Sequence, residues 1–232
     1  MIYVMSDIHG NEKRFNSIMK QINLQKSDTL YVLGDVVDRY YGGVRILQKL
    51  MKMRNVKMLL GNHEYMMLNA IDAASKMKKE DVQRGLCREL NLWYNNGGDV
   101  THEYLKHIRK DLREEIFEYV RNLPINLEVT VNDTLYKLVH ASPVENIFNG
   151  ESKFAKYGSV KKFAVWNRWQ PSDGVPYGTV LVFGHTPTCH FQETYPMEVW
   201  FGEKAIGIDC GSGYVDGRLA CIRLDDMKVF YS

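Results

Sequence analysis

Five short apolar runs in this chain stop in the same way, on a polar cluster: IYVM before SDIHG (2–10), LYVL before GDVVDR (30–39), KMLL before GNHE (57–64), KLV before HAS (137–142) and VLVF before GHT (180–186). A run of about four apolar residues bounded by glycine and polar residues reads as a buried strand. In an α/β sheet the ligand crevice lies beyond the carboxyl ends of the strands, so Asp7, His9, Asp35, Asn62, His140 and His185 are expected to converge there. Carboxylates and imidazoles cannot be buried together bare, because each uncompensated ion costs several kcal/mol. Bound cations remove that cost. The donors are oxygen and nitrogen without thiolate, a set that suits manganese, iron or zinc better than calcium or magnesium alone. Six protein ligands exceed one tetrahedral shell and suit two ions roughly 3.5–4 Å apart sharing a carboxylate. Asp35 is the choice for that bridge.

Between the first three runs, Phe15, Ile18, Met19 and Ile22, and then Val44, Leu47, Leu50 and Met51, recur at helical spacing, so residues 1–60 read as βαβαβ. From Glu64 to about Arg121 the period is helical, with Val82, Leu86, Leu90 and Trp93 on one stripe and a turn at NNGGD (95–99), which makes 64–121 a helical insertion. Strands return at 125–131, 135–140 and 179–183, separated by a stretch, 141–178, that reads as surface loop. The tail, with AIGID, RLACIRL and KVFY, is expected to form antiparallel strands in a second sheet. At 232 residues the whole of 1–232 is expected to be one domain. A net charge of +2 offers no basic field for nucleic acid, and no run approaches the ~18 to 20 apolar residues of a membrane span. With no basic leader at the amino terminus, a cytoplasmic location is expected and the oligomeric state is left open. Cys87, Cys189, Cys210 and Cys221 are too scattered for a zinc ribbon and read as reduced fillers.

The motifs SDIHG, GDVVDR, GNHE, the strand-end His140 and GHT together resemble the calcineurin-like metallophosphoesterases. Within that superfamily the full GDVVDR and GNHE blocks are similar to the phosphoprotein phosphatase family, particularly bacterial serine/threonine phosphatases and their symmetrical dinucleotide tetraphosphatase relatives. WYNNGGDVT (93–101) and IDCGSGYVDGRL (208–219) also look like the bacterial branch. The resemblance implies an α/β fold of two mixed β-sheets sandwiched between helices. It implies that Asp7, His9 and Asp35 hold a first metal and that Asp35, Asn62, His140 and His185 hold a second. Arg39, with Asn62, would bind substrate phosphate, His63 would be the general acid, and Asp38 would orient and charge that histidine. Arg168 in VWNRWQP sits where the family often places a second phosphate-binding arginine. The chain departs from the family pattern at Ser6, Tyr40 and Ala141-Ser142.

The function so implied is hydrolysis of phosphate esters by direct attack of a hydroxide held between two divalent ions. The leading substrate is a phosphoserine or phosphothreonine protein, the alternative a dinucleoside polyphosphate, and the sequence does not decide between them. A nonenzymatic scaffold of the same fold is a weaker alternative. Other phosphatase chemistries fail, since no cysteine has Arg six positions later and no DxD pair follows a strand. His102, His107 and His190 lie outside the strand-end pattern and are expected to face solvent. The methionines from Met51 to Met67 read as core, and Trp93, Trp166 and Trp169 as packing residues before base-stacking ones.

Overall fold

The apolar run at Thr29–Val32 (β2) is continuous because both of its faces are covered. Leu30 and Val32 pack among helices, while Tyr31 and the following Leu33 pack against a second sheet. The computed structural model describes residues 1–149 and 154–232, with β1 at Ile2–Met5 and β3 at Val56–Met58 parallel to β2 on either side. The crossovers are α1 (Glu12–Ile22), which buries Phe15, Ile18 and Ile22, and α2 (Gly43–Met51). Five helices follow: α3 (Asn62–Ser75), α4 (Lys79–Gln83), α5 (Arg88–Asn95), α6 (Asp99–His107) and α7 (Lys110–Arg121), as the helical period predicts. Leu86 is an exception, exposed in the turn between α4 and α5.

The second sheet runs β4 (Asn126–Val131), β5 (Thr134–Val139), β6 (Thr179–Phe183), β8 (Ala205–Gly207) and β7 (Trp200–Phe201), with β5, β6 and β8 parallel. Val4 and Leu59 from the first sheet meet Leu138, Val182 and Ile206 from the second in one buried layer. The outer face of the first sheet is covered by α1, α2, α3 and α7, and that of the second by Trp169, Phe191 and Trp200. The result is two mixed five-stranded sheets packed face to face, with helices over the first and an aromatic layer over the second.

Two expectations for the chain's second half need correction. The last strands, β9 (Ala220–Arg223) and β10 (Lys228–Tyr231), do not join the second sheet. They extend the first, with β9 antiparallel to β1 through Cys221 opposite Met5 and Ile222 opposite Val4. Their alternating pattern fits either sheet, and nothing local selects the edge. The stretch 141–178 also holds a helix, α8 (Val160–Trp166), capped by Ser159, whose hydroxyl accepts from the Lys162 amide at 3.2 Å. Residues 150–153 of that stretch lie outside the described residues. Three of the cysteines are buried and free, but Cys189 is exposed and fills no core. No helix among the described residues is long and apolar enough to cross a membrane.

Candidate active site

Five parallel strands from the two sheets, β1, β2, β3, β5 and β6, end at one place. Their last residues deliver Asp7, His9, Asp35, Asn62, His140 and His185, each less than a tenth exposed. The backbone there is bent into an uncommon shape: Asp7, His9, Asp35, Asp38, Arg39 and His185 all have positive φ, between 49° and 72°. Left-handed residues other than glycine cost energy and persist where surrounding contacts impose them. One source of that imposition is Glu64, fully buried on the first turn of α3. Its carboxylate accepts from the amides of Asp35 (2.9 Å), Val36 (2.8 Å), Val37 (3.2 Å) and Gly61 (3.2 Å), so it shapes the GDVV loop from beneath. Burial, then the neighbouring Asp35 charge, raise the Glu64 carboxyl to about 7 against the pull of those amides. Gly61 is required where the two loops touch, because a Cβ there would stand 2.2 Å from Asp35 Oδ1.

The donor atoms fall into two groups that share Asp35: His9, Asp35 and His63, and Asp35, His140 and His185, each within 4.8 Å. His9 Nε2 faces Asp7 Oδ1 at 3.9 Å and Asp35 Oδ2 at 3.8 Å. These separations are too long for hydrogen bonds, yet two donors each about 2.0–2.2 Å from one ion lie at most about 4.4 Å apart. On the other side, His140 Nδ1–H donates to the Leu33 carbonyl at 2.8 Å, which leaves Nε2 facing Asn62 Oδ1, 2.9 Å away. His185 Nδ1 approaches the same oxygen at 2.8 Å, and His140 Nε2 lies 3.5 Å from Asp35 Oδ1. Acceptors that converge in this way suit a cation between them. Burial presses Asp7 upward and His9 and His185 well below their usual range. Burial acts upward on Asp35 too, but the fields of His140, His63, His9 and His185 outweigh it and hold that carboxyl low. The downward shifts of His9 and His185 favour the unprotonated imidazole that a metal requires.

His63 lies beside the donors, with Nδ1 2.7 Å from Asp38 Oδ2 and Nε2 directed at the centre, 3.9 Å from Asp35 Oδ2. Burial lowers its pKa, but Asp35 and the Asp38 bond more than compensate, and the net shift is upward. Asp38 is itself held: its Oδ2 also accepts from Trp93 Nε1 at 2.8 Å and its amide donates to Thr101 Oγ1 at 2.9 Å. The Arg39 amide donates to the Gly97 carbonyl at 2.9 Å. The three bonds place WYNNGGDVT beneath Asp38 and Arg39, and Trp93 is a buried donor, not a stacking platform. The Arg39 guanidinium lies 5.0 Å from the Tyr214 ring and beside Gly213, where a Cβ would come 2.3 Å from Nη1 and 2.7 Å from the His9 ring. That loop is tied down by Arg14, whose guanidinium donates to the carbonyls of Ser212 (2.6 Å), Tyr214 (2.8 Å) and Val215 (2.9 Å).

Arg168 is exposed, with Nη1 donating to the His185 carbonyl at 3.2 Å. His107 and His190 face solvent as expected, but His102 is half-buried against Trp93 and Tyr94. Trp169 packs in the outer aromatic layer, and Trp166 is half-buried with its ring 6.1 Å from that of His185. Glu64 and Trp93 stand inside quoted motifs and carried a readable signal. Arg14 carried none, since its partners lie 198 to 201 residues away.

A family model described as calcineurin-like phosphoesterase matches residues 1–189. A symmetrical bis(5'-nucleosyl)-tetraphosphatase of Wigglesworthia glossinidia brevipalpis is 35% identical over 81 residues, 34% of this chain and 30% of that protein. One from Acidovorax sp. (strain JS42) is 25% identical over 162 residues, 69% of this chain and 50% of its own length. The chain therefore spans between about a third and a half of the length of these curated relatives. Among solved structures, a metallophosphoesterase from Sphaerobacter thermophilus superposes with a TM-score of 0.57 at 15% identity, covering 99% of this chain and 86% of that one. A protein serine/threonine phosphatase from Saccharomyces cerevisiae gives 0.51 at 15% identity, covering 100% and 78%. At such identities the superpositions speak for the fold alone.

Proposed function

The chain belongs to the calcineurin-like phosphoesterase family, and on that premise we propose that it hydrolyses phosphoesters with two divalent cations held at the ends of five parallel strands. The observation that carries this reading is the single Asp35 carboxylate common to both groups of donors. Asp7, His9 and Asp35 hold one ion, and Asp35, Asn62, His140 and His185 hold the other, manganese first and iron or zinc as alternatives. When bound, the ions supply a water acidified from a pKa near 15.7 toward roughly 7 and offset phosphoryl charge.

The chain's own groups do the rest. Arg39, flanked by Tyr214 and Gly213, offers a planar fork to the phosphoryl oxygens, with Asn62 and Arg168 as further phosphate contacts. As the water oxygen bonds to phosphorus and the bond to the leaving oxygen breaks, His63 Nε2–H donates its proton to that oxygen and regains one from solvent. Asp38 keeps the ring charged and aimed, and is a positioning residue.

For the substrate we propose a dinucleoside polyphosphate, the class for which the curated relatives are named. A second reading, a phosphoserine or phosphothreonine protein, is favoured by the His63–Asp38 pair, because a protonated acid helps most when the leaving group is a basic alkoxide. Steady-state assays of the manganese-loaded protein on diadenosine tetraphosphate, phosphopeptides and nitrophenyl phosphate decide. The proposal expects kcat/KM for the tetraphosphate at least ~10-fold above that for the peptides. The reverse order installs the second reading, and no hydrolysis of any phosphoester with manganese, cobalt or zinc returns the scaffold.

A further inference from the structure

Two cavities adjoin, sharing Lys156, Tyr157 and Trp166. The inner one, about 400 Å³, reaches Arg168 and His185. The outer one, about 930 Å³, lies between α3, α5 and α8 and falls within the ~300–1,000 Å³ of small-molecule sites. Trp166 lines both.

Charge marks this groove. Some exposed cations of the surface carry a partner, as Arg45 does with Glu12, Lys106 with Glu103 and Arg109 with Asp111. Along the groove Lys76, Arg88, Lys156, Lys162 and Arg168 have no carboxylate partner within 4.0 Å among the described residues. Of the two carboxylates that line it, Asp72 is paired with Arg121 at 3.5 Å and Glu89 is exposed. In a chain whose net charge is +2, five unpaired cations in one groove form a local anion field. Trp166 and Tyr65, both half-buried, add aromatic faces on which a base can stack.

We propose that this groove seats the distal nucleotide of a dinucleoside polyphosphate whose reacting phosphoryl group lies at the metal-facing side of His185. This rests on the substrate reading above and adds the residues that select for length and charge. Arg88 and Lys76, at the outer end, contact the distal phosphates, and Trp166 takes the base. A small monoester such as nitrophenyl phosphate does not reach the outer cavity.

The test compares wild type, Arg88→Glu, Lys76→Glu and Arg88→Lys, all manganese-loaded, on diadenosine tetraphosphate, nitrophenyl phosphate and a phosphoserine peptide. The ratio of kcat/KM for the tetraphosphate to that for nitrophenyl phosphate should fall at least ~10-fold in each charge reversal, mainly through KM. Arg88→Lys should keep the ratio within about twofold, because the contact is one of charge. An unchanged ratio in the reversals, or an equal fall in Arg88→Lys, overturns the groove while leaving the substrate reading intact. Wild-type hydrolysis of nitrophenyl phosphate without any of the tetraphosphate overturns the substrate reading and the groove with it. A fall confined to the phosphopeptide overturns the nucleotide as occupant.

Discussion

Six site residues hold left-handed backbone, and the loops around them are held by residues outside the candidate ligand set. Glu64 gathers amides of the GDVV loop, and Arg14 gathers three carbonyls of the loop under Arg39. Arg14→Ala should therefore raise KM for nitrophenyl phosphate several-fold with a smaller loss in kcat, because Arg39 loses its fixed position and no reacting group is removed. Arg14→Lys should fail to restore KM, since a single ammonium cannot reproduce the fork, and equal kinetics for Arg14→Lys and wild type would contradict that. His63→Asn should lower kcat by ~10² or more on alkyl phosphates and much less on nitrophenyl phosphate, whose leaving group needs no proton. Equal losses on both would argue against the acid role. The strand-end residues were legible from the sequence because each directly follows an apolar run. Arg14 was not, because its work is done on carbonyls brought close only by the closing of the first sheet.

At the scale of elements, the helical insertion acts through one short segment. Trp93 at the end of α5, Gly97 in the turn and Thr101 in α6 bond to Asp38 and Arg39, so the insertion fixes the partner of the proposed acid and the proposed phosphate fork together. Trp93→Phe keeps most of the packing and removes one donor. It should lower kcat roughly tenfold, the scale of one buried hydrogen bond, with a shift in Tm of only a few degrees. A large fall in Tm with full activity per folded molecule would assign Trp93 to packing alone. On β5, Lys137 is buried between Glu128 (3.0 Å) and Glu145 (2.7 Å). Burial lowers its pKa, but the two carboxylates prevail and raise it above the ordinary 10.5. A raised folded-state pKa means stability fully present below the unfolded value and lost as pH rises through the folded one. Lys137→Met should therefore cost about 1–2 kcal/mol in urea unfolding at pH 7, a deficit that stays constant to about pH 10 and shrinks above it. A deficit that grows with alkaline pH would contradict the pairing. The period exposed the insertion as helical, but its purpose depended on contacts 55 and 63 residues apart. The helix α8 escaped because seven residues carry too little period, although its Ser159 cap was a local sign.

The whole molecule is two sheets pressed together so that five strands from both end at one point. A single open sheet would explain the convergence of the first three strand ends, but His140 and His185 arrive from the other layer. This is why the first sixty residues could be read as βαβαβ while the tail could not be assigned to a sheet. β9 finds its edge on β1 through contacts more than two hundred residues away, with β10 added outside it, and an alternating pattern is silent about which sheet it joins. Most of the site was thus readable ahead of the architecture that assembles it: the motifs mark strand ends, and strand ends are where an α/β fold places its ligands. On the proposed reading, cations occupy the space between Asp35 and the imidazoles. Metal analysis of the purified, manganese-reconstituted protein after gel filtration tests this most directly. The account predicts about two divalent ions per chain in the wild type and fewer than about one in Asp35→Ala, with the fold retained by circular dichroism. A wild-type protein that retains no divalent ion, or an Asp35→Ala variant that retains as many as the wild type, would contradict it.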